Sequence, residues 1–259
     1  MTARDFAFEA VERSHVGHVR KINEDRVYSR TSIGLWAVAD GMGGHQRGDL
    51  ASSMLMDALE AIDPMDSGYA FLDGVQEAVQ QVNRTLVAHA RLSTPGTVIG
   101  STIVSLLAFA GHYACLWAGD SRGYLWRGAR LEQITRDHSM VQEMIDSGML
   151  KRADASRFGR SNVITRAVGV DDRLALDLHT GPIADGDQFL LCSDGLTNMV
   201  GDDQMATILK TSVSLDVAAD ALLQSALDKG AKDNVSLVLV RAMCEQDDTL
   251  QPGMRAGDR

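Results

Sequence analysis

The sequence predicts an α+β fold built on antiparallel strands, and three observations lead to this prediction. Short aliphatic and β-branched runs are bounded by Gly or Asp, which is typical of buried strands; they span residues 35–39, 114–118, 189–192 and 235–240. Apolar residues repeat at helical spacing in two consecutive segments between residues 50 and 86. Finally, the turns between residues 98 and 135 are too short for crossover connections, so the strands that they join should pair antiparallel.

The first half of the chain is predicted to begin with an outer strand over residues 6–12. A loop over 17–25 follows and leads into a hairpin that ends at Asp40. Two amphipathic helices come next, and their apolar faces are lined by Leu50, Met54, Leu55, Leu59 and Ile62 and by Leu72, Val75, Val79, Val82 and Leu86. The segment over 98–135 is predicted as a meander of strands, with turns at residues 111–112 and 127–130.

The second half is predicted to begin with a helix that Ser139 caps and Gly148 ends, with Gln142 in the capping-box position. The basic and polar segment over 149–161 has no periodicity and is either a mobile flap or a plain surface loop. The remaining predicted elements are strands near residues 173–179 and 187–193, two helices of which the second spans 214–230, and a final strand over 234–241.

Length and charge restrict the class of protein. The chain has 259 residues and a formal net charge of -10. This charge argues against a nucleic acid as the main partner, because phosphate backbones are bound by clustered Lys and Arg. No Pro/Gly/Ser-rich linker divides the sequence, so we expect a single catalytic domain over residues 1–244 and a disordered tail over 245–259.

Cysteine usage and hydropathy predict a cytoplasmic protein. Cys115, Cys192 and Cys244 cannot form a closed disulfide framework, which favours a reducing compartment. Residues 1–11 lack the basic start and the apolar stretch of a signal peptide, and no apolar run is long enough to span a bilayer. We therefore expect no association with a membrane.

Four aspartates stand at the ends of the predicted strands. Asp40, Asp120 and Asp194 each follow an apolar run, and Asp233 stands just before one. If the strands alternate in direction, all four carboxylates share one edge of the sheet. Carboxylates packed closely in a partly dry site repel one another and take up protons unless a cation lies among them. The sequence therefore predicts a site for divalent metal ions, and oxygen-only ligands favour Mg²⁺ or Mn²⁺.

Ordered motifs around these aspartates carry a further signal. The Gly-rich run over residues 40–45 is, by itself, as typical of a turn before a helix as of an ion site. It stands in order with Arg20-x-x-Asn23-Glu24-Asp25, Gly100-Ser101-Thr102, Gly119-Asp120-Ser121-Arg122, Asp137-His138-Ser139, Ile164-Thr165-Arg166-Ala167-Val168-Gly169, Asp185-Gly186-Asp187, Ser193-Asp194-Gly195-Leu196 and Asp233-Asn234-Val235-Ser236. From Arg20 to Val240, the chain thus resembles the metal-dependent protein phosphatases (PPM or type 2C serine/threonine phosphatases) in a minimal bacterial form.

The resemblance implies the arrangement of the fold and of the metal site. Two antiparallel β-sheets would pack as a central sandwich, flanked by α-helices on both sides. Two Mn²⁺ or Mg²⁺ ions would lie at one edge, with a third, weaker site beside them. By match to the family's motifs, the residues that hold these ions are Glu24, Asp40, the Gly41 carbonyl, Asp120, Asp194 and Asp233. Asp40 would bridge the two main ions, and Asp120 would share the third with Asp194.

The resemblance also implies an activity, the hydrolysis of phosphoserine and phosphothreonine in proteins. Two ions roughly 3.5 to 4 Å apart can hold a hydroxide and lower the pKa of the bound water toward neutrality, which supplies a nucleophile. Arg20 would bind the phosphoryl oxygens through its planar guanidinium. The predicted catalytic residues are therefore Asp40 and Arg20. The expected partners are phosphorylated proteins and a Ser/Thr kinase that the enzyme counteracts, and the enzyme itself is expected to be a monomer.

The chain departs from the family at the residue that protonates the leaving group. Some members carry His directly after Asp-Gly for this purpose, where this chain has Met42. A metal-bound water or His45 is left as the acid. His45 is expected to have a structural role instead. His138 is expected to be a polar packing residue as well.

Two other functions are compatible with the sequence. A non-catalytic relative would use the same scaffold to bind a partner, but such relatives should lose metal ligands, and all four strand-end aspartates are present. A hydrolase of small phosphoesters would keep the metal ions and change only the substrate. Metal-dependent turnover of a phosphothreonine peptide distinguishes both alternatives from a protein phosphatase.

Overall fold

A computed structural model of the chain describes residues 6–43, 47–94, 96–152, 154 and 163–244. These residues form two antiparallel sheets with helices packed against them. The strands are β1 (Phe6–His15), β2 (Asp25–Arg30), β3 (Leu35–Gly43), β4 (Ile99–Ser101), β5 (Ile103–Phe109), β6 (His112–Ala118), β7 (Arg122–Arg127), β8 (Arg130–Gln133), β9 (Asp177–Pro182), β10 (Gln188–Cys192) and β11 (Val235–Cys244). The helices are α1 (Gly48–Glu60), α2 (Gly68–Arg91), α3 (Met140–Asp146), α4 (Asp194–Thr197), α5 (Asp202–Thr211) and α6 (Leu215–Asp228).

The two sheets pack face to face, and this confirms the predicted α+β sandwich. One sheet has the strand order β1-β11-β10-β7-β8, and the other has the order β2-β3-β5-β6-β9, with β4 paired to β3. A layer of side chains from both sheets lies between them, including Trp36 and Val104 from one sheet and Leu191 and Val240 from the other. The predicted outer strand is β1, which lies at the edge of its sheet.

Both faces of the central strands are buried, which explains their continuous apolar runs. In β3, Trp36 and Val38 face the other sheet, whereas Leu35 and Ala37 face the helices α1 and α2. The other sheet carries α5 and α6 on its outer face, where Leu222 packs in a separate core layer. Helices therefore flank the sandwich on both sides.

The predicted meander over residues 98–135 is wrong at one connection. The pairs β5–β6 and β7–β8 are antiparallel neighbours, as expected from their short turns. Strands β6 and β7, however, lie in different sheets, so residues 119–121 carry the chain from one sheet to the other. The physical reason is that β7 pairs with β10 along its other edge, from Arg122 with Cys192 to Trp126 with Gln188. This crossing places Asp120 between the sheets, at their common edge.

Several predicted elements differ from the structure in detail. Leu50 is 41% exposed, because α1 begins at Gly48 and turns Ala51 and Leu55 toward the core instead. The strand expected near 173–179 lies at Asp177–Pro182. Ser139 caps α3 as predicted, but the Gln142 side chain donates to Asp146 rather than back to the cap. The short helix α4 was not predicted.

Two predicted segments fall on residues that the structure does not describe. The tail over 245–259 lies outside the described residues, and so does most of the flap over 149–161. In the part of the chain that is described, no helix has the length and apolar character needed to cross a bilayer.

Candidate metal centre

Strands β2 and β3 bring two carboxylates side by side. Asp25 opens β2 and pairs in register with Asp40 of β3. The backbone of Asp40 is fixed on its other side, where its N–H donates to Thr102 Oγ1 at 3.0 Å and its carbonyl accepts from Thr102 N at 2.9 Å. The position of Asp40 is therefore set by strand pairing and by the link between β4 and β5.

The predicted ligands Gly41 and Glu24 lie together at the start of α1. A Cβ on Gly41 would lie 2.2 Å from the carbonyl oxygen of Gly48, so only glycine fits there. The Gly41 N–H donates to the Glu24 carbonyl at 3.2 Å, and the Glu24 carboxylate accepts from Gly48 N at 3.1 Å. Glu24 thus has one side-chain oxygen bound at the helix N-terminus, where a negative charge is favourable.

The opposite sheet contributes Asp194 and Asp233 to the same edge. Asp194 begins α4 directly after β10, and its Oδ2 accepts from Asn198 Nδ2 at 3.1 Å. Asp233 precedes β11, and its Oδ2 accepts from the Arg20 guanidinium at 2.7 Å. Arg20, the predicted phosphate-binding residue, is therefore held beside a predicted metal ligand.

Asp120 lies at the crossing between β6 and β7 and is 8% exposed. The next residue, Ser121, has its hydroxyl 2.7 Å from the Thr102 hydroxyl, which also accepts from the Asp40 N–H. A single pair of hydroxyl groups therefore connects the Asp120 turn to the backbone of Asp40.

Hydrogen bonds between the sheets hold the two halves of the site together. The Ser193 hydroxyl donates to Asp25 Oδ2 at 2.8 Å and accepts from Ser236 N at 3.0 Å. The Asn234 side chain accepts from Glu24 N at 2.8 Å. The structure thus places the predicted site residues at one edge of the sandwich, on strand ends and turns of both sheets.

Burial and mutual repulsion raise the pKa values of the carboxylates in the site. The pKa values of Asp25, Asp40, Asp120 and Asp194 all lie above the ordinary value, with desolvation as the largest cause and neighbouring carboxylates as a further cause. For Asp40 these neighbours include Asp25, Asp194, Asp120 and Asp233. A cation among these groups would remove the repulsion and keep them ionised.

The donor atoms fit a hard divalent cation. Three buried carboxylate oxygens have no hydrogen-bond partner within the described chain, namely Asp25 Oδ1, Asp120 Oδ1 and Asp194 Oδ1. Buried polar atoms without a partner are rare and point to an unfilled interaction. Among the described residues, no three acidic, His or Cys side chains are already arranged around one point as an ion would require. Arg20 contacts Asp233 Oδ2 and Asn198 contacts Asp194 Oδ2, which leaves Asp194 Oδ1 available to an ion.

Asp25 was not among the predicted site residues, although its motif was noted. It is 2% exposed and its Oδ1 has no partner, which makes it a member of the cluster. The only signal in the sequence was its place after Glu24 in the Asn23-Glu24-Asp25 motif. Its burial depends on Ser193 of the other sheet, which a local pattern does not reveal.

His45 and His138 were both expected to have structural roles. His45 lies outside the described residues. His138 is 8% exposed and its ring stacks on Trp117, as expected for a packing residue. Met42 is described and lies at the end of β3.

Comparison with known proteins agrees with this arrangement. A family model described as protein phosphatase 2C matches residues 9–144. The serine/threonine phosphatase stp of Listeria welshimeri serovar 6b is 35% identical over 235 residues, which cover 88% of this chain and 93% of that protein.

Solved structures are similar over nearly the whole chain. PppA, described as a key regulatory component of T6SS in Pseudomonas aeruginosa, is 41% identical with a TM-score of 0.83 and covers 91% of this chain and 98% of its own. The catalytic domain of the serine/threonine protein phosphatase PstP, in complex with two manganese ions, is 33% identical with a TM-score of 0.82 and covers 92% of this chain and 100% of its own.

These similarities, together with an edge of aspartates from both sheets, confirm the predicted family, enzyme class and two-ion Mn²⁺ or Mg²⁺ cofactor. The chain belongs to the protein phosphatase 2C family, the metal-dependent serine/threonine protein phosphatases.

Proposed function

We propose that this chain hydrolyses phosphoserine and phosphothreonine in proteins, with Asp40 and Arg20 as its catalytic residues. The observation that supports this most directly is the set of unpartnered carboxylate oxygens on Asp25, Asp120 and Asp194. They come from both sheets and face one edge. When bound there, two divalent ions supply an activated water as nucleophile and neutralise charge on the phosphoryl group.

Residues from both sheets would bind the ions. By match to the family's motif, Asp40 would be the central ligand, and the carboxylates of Asp25, Asp120, Asp194 and Asp233 lie near enough to add to the effect of burial in raising its pKa. The other ligands in this proposal are Glu24, the Gly41 carbonyl, Asp194 and Asp233, with Asp120 and Asp194 holding a third ion. Asp25 adds negative charge beside Asp40 through its register pairing.

Arg20 is proposed to bind the phosphoryl oxygens of the substrate. Its side chain is 51% exposed, and one nitrogen contacts Asp233 Oδ2. A guanidinium has five N–H donors in a planar arrangement, so donors are left for a phosphate while one stays on the carboxylate. Arg20 would orient the phosphoryl group against the nucleophile without contributing a proton.

The leaving oxygen needs a proton, and Met42 cannot supply one. Since the thioether of Met42 has no acidic proton, a water held by the bound ions would have to supply it. This step does not require an imidazole within the described site.

Purified protein would be assayed with a phosphothreonine peptide and with para-nitrophenyl phosphate, in Mn²⁺ and in excess chelator. We expect turnover of both in Mn²⁺ and loss of turnover in chelator. Asp40→Asn and Asp233→Asn should each lower kcat by roughly 100-fold or more while the thermal unfolding transition stays cooperative. Asp73→Asn, an exposed position on α2, is the matched control and should leave kcat unchanged.

The outcomes separate the candidate functions. A folded protein that binds no Mn²⁺ and turns over neither substrate would contradict the proposal and favour a partner-binding module. Turnover of para-nitrophenyl phosphate without any turnover of phosphopeptides would favour a hydrolase of small phosphoesters.

We further propose that the substrates are phosphorylated by a Ser/Thr kinase that this enzyme counteracts, and that the enzyme acts as a cytoplasmic monomer with one catalytic domain over residues 1–244. Free rather than paired cysteines support a reducing compartment, and Cys115 and Cys192 are buried thiols whose pKa burial raises to about 12. Comparison of phosphoproteins with and without the gene would identify the substrates, and light scattering would test the monomer.

A further inference from the structure

The imidazole of His138 is buried directly beside the turn that carries Asp120. Its Nδ1 lies 3.1 Å from the backbone nitrogen of Gly119, and its own backbone N–H donates to the Gly119 carbonyl at 2.9 Å. The ring stacks on Trp117, with centroids 6.1 Å apart and planes 14° from parallel. Gly119 is therefore bound on both its N–H and its carbonyl by the same residue.

The Gly119 N–H sets the role of one nitrogen of the His138 ring. The Gly119 N–H can only donate, so Nδ1 must accept, and in the neutral ring the proton is then on Nε2. Nε2 lies 3.2 Å from Asp177 Oδ2, to which it can donate, and 3.0 Å from Arg166 Nη1, which itself donates to Asp177 Oδ1. Burial lowers the pKa of His138, the nearby Arg166 guanidinium acts in the same direction, and Asp177 opposes them. The ring is thus held neutral, with Nδ1 as the acceptor.

The Gly119 backbone needs such an anchor because of its conformation. Its φ is 119°, a region that favours glycine, and a Cβ there would lie 2.6 Å from the Cβ of Thr102. A glycine has the largest conformational freedom when it is not held. The residue after Asp120 is anchored separately through the hydroxyl pair of Ser121 and Thr102.

We propose that His138, oriented by Asp177, is a positioning residue that fixes the Gly119 N–H and thereby aims the Asp120 carboxylate at the metal cluster. This inference rests on the proposed function, in which Asp120 helps to hold the third ion. If His138 only filled space beside Trp117, its nitrogen atoms would have no separate effects on the site.

Two substitutions separate the roles of the ring nitrogens. The Asn side-chain oxygen occupies the place of Nδ1 and can accept from Gly119, whereas the Gln amide reaches the place of Nε2 and leaves Gly119 without an acceptor. In His138→Gln, we expect the Mn²⁺ concentration that gives half-maximal activity to rise about 10-fold or more, and His138→Asn should recover most of this loss. The same substitutions at His179, which contacts Tyr113 and pairs with Cys115 of β6, are the controls.

Three readouts do not depend on activity. Amide hydrogen exchange of Gly119 should be fast in His138→Gln and slow in His138→Asn, at similar midpoints of thermal unfolding. Nitrogen NMR of the unsubstituted protein should show a neutral His138 ring with the proton on Nε2, and this measurement needs no variant to fold. Calorimetry with Mn²⁺ should show weaker binding at the weakest site in His138→Gln.

Equal effects of the Asn and Gln substitutions, or a ring with the proton on Nδ1, would overturn the inference. An Asp120→Asn variant separates it from the proposed function. If Asp120→Asn leaves Mn²⁺ affinity unchanged, the role assigned to Asp120 fails, whereas amide exchange and NMR decide independently whether His138 holds the turn.

Discussion

Asp25 is a buried carboxylate of the site that is only partly hydrogen-bonded. It is 2% exposed, only its Oδ2 is hydrogen-bonded, and its pKa is raised, chiefly by burial. Burying a carboxylate without full compensation costs several kcal/mol, which a nearby cation can offset. The charge of Asp25 therefore destabilises the metal-free protein and contributes to binding when ions are present.

We expect Asp25→Asn to have opposite effects in the two states. The substitution keeps the size of the side chain and removes its charge, so the midpoint of thermal unfolding in chelator should rise. The added stability in Mn²⁺ should shrink, and the Mn²⁺ concentration for half-maximal activity should rise roughly 10- to 100-fold. Thermal unfolding by circular dichroism, with and without Mn²⁺, measures both effects.

Asp73→Asn serves as the control for this experiment, because Asp73 is an exposed acid on α2 outside the site. Asp73→Asn should leave the midpoint of thermal unfolding unchanged both in chelator and in Mn²⁺. A lower midpoint for Asp25→Asn in chelator, with an unchanged response to Mn²⁺, would contradict a charge-based role for Asp25.

At the scale of elements, the loop over residues 16–24 depends on Asn234. The Asn234 amide donates to the carbonyls of Val16 at 2.9 Å and Ile22 at 3.0 Å, and its oxygen accepts from Glu24 N at 2.8 Å. One side chain thus ties both ends of the loop that carries Arg20 to the start of β11.

Asn234→Asp should loosen this loop selectively. An aspartate can still accept from Glu24 N but cannot donate to Val16 or Ile22, so two hydrogen bonds are lost. We expect faster amide exchange over residues 16–24 and a KM for a phosphothreonine peptide raised about 10-fold, because Arg20 is no longer held in place. Hydrogen exchange by mass spectrometry and steady-state kinetics check the two effects.

Asn83→Asp is a matched control for this substitution. Asn83 is also buried and connects backbone groups, with its amide donating to the Asp171 carbonyl and its oxygen accepting from Gly169 N. Its substitution should lower stability without changing exchange in the Arg20 loop. The proposed role of Asn234 would be wrong if both variants affected that loop equally.

The elements also show which parts of the fold a sequence can predict. Strands such as β3 were predictable because burial on both faces gives a continuous apolar run, and Ser139 and Ser214 cap their helices as expected. The crossing at residues 119–121 was not predictable, since this link is as short as a hairpin turn. Its path depends on contacts of Gly119 with Thr102 and His138, which are distant in sequence.

For the candidate site, the strand-end aspartates were predictable from their positions after apolar runs. Asp25 was not, because its burial depends on Ser193 from the opposite sheet. The contact between Arg20 and Asp233 also joins residues far apart in the chain. Partners of this kind are set by how the sheets pack and not by any local pattern.

At the scale of the whole molecule, the metal centre joins the two sheets. Asp25 and Asp40 belong to one sheet, whereas Asp194 and Asp233 flank strands of the other. Ions bound by both pairs would therefore link the halves of the sandwich as well as serve catalysis. Since a ligand that binds only the folded state stabilises it, Mn²⁺ should raise the stability of the entire domain.

This linkage predicts a pH dependence that differs between the metal-free and the metal-bound protein. A carboxyl whose pKa is higher in the folded state than in the unfolded state binds more protons when folded, so stability falls as pH rises between the two values. For Asp25 and Asp120, the folded pKa is raised from 3.8 to about 7, which sets the window. In chelator, the midpoint of thermal unfolding should therefore fall between about pH 4 and pH 7.

In saturating Mn²⁺, the midpoint of thermal unfolding should no longer fall between these pH values, because bound cations keep the same carboxylates ionised. The exposed acids Asp146 and Asp220 have lowered pKa values through Arg136 and Arg13, so they add stability as pH rises. These two acids contribute equally in chelator and in Mn²⁺. The difference between the two curves of unfolding midpoint against pH therefore gives the contribution of the metal centre alone. Unfolding midpoints measured at several pH values with chelator and with Mn²⁺ provide the test, and parallel curves would contradict a carboxylate cluster that the ions stabilise.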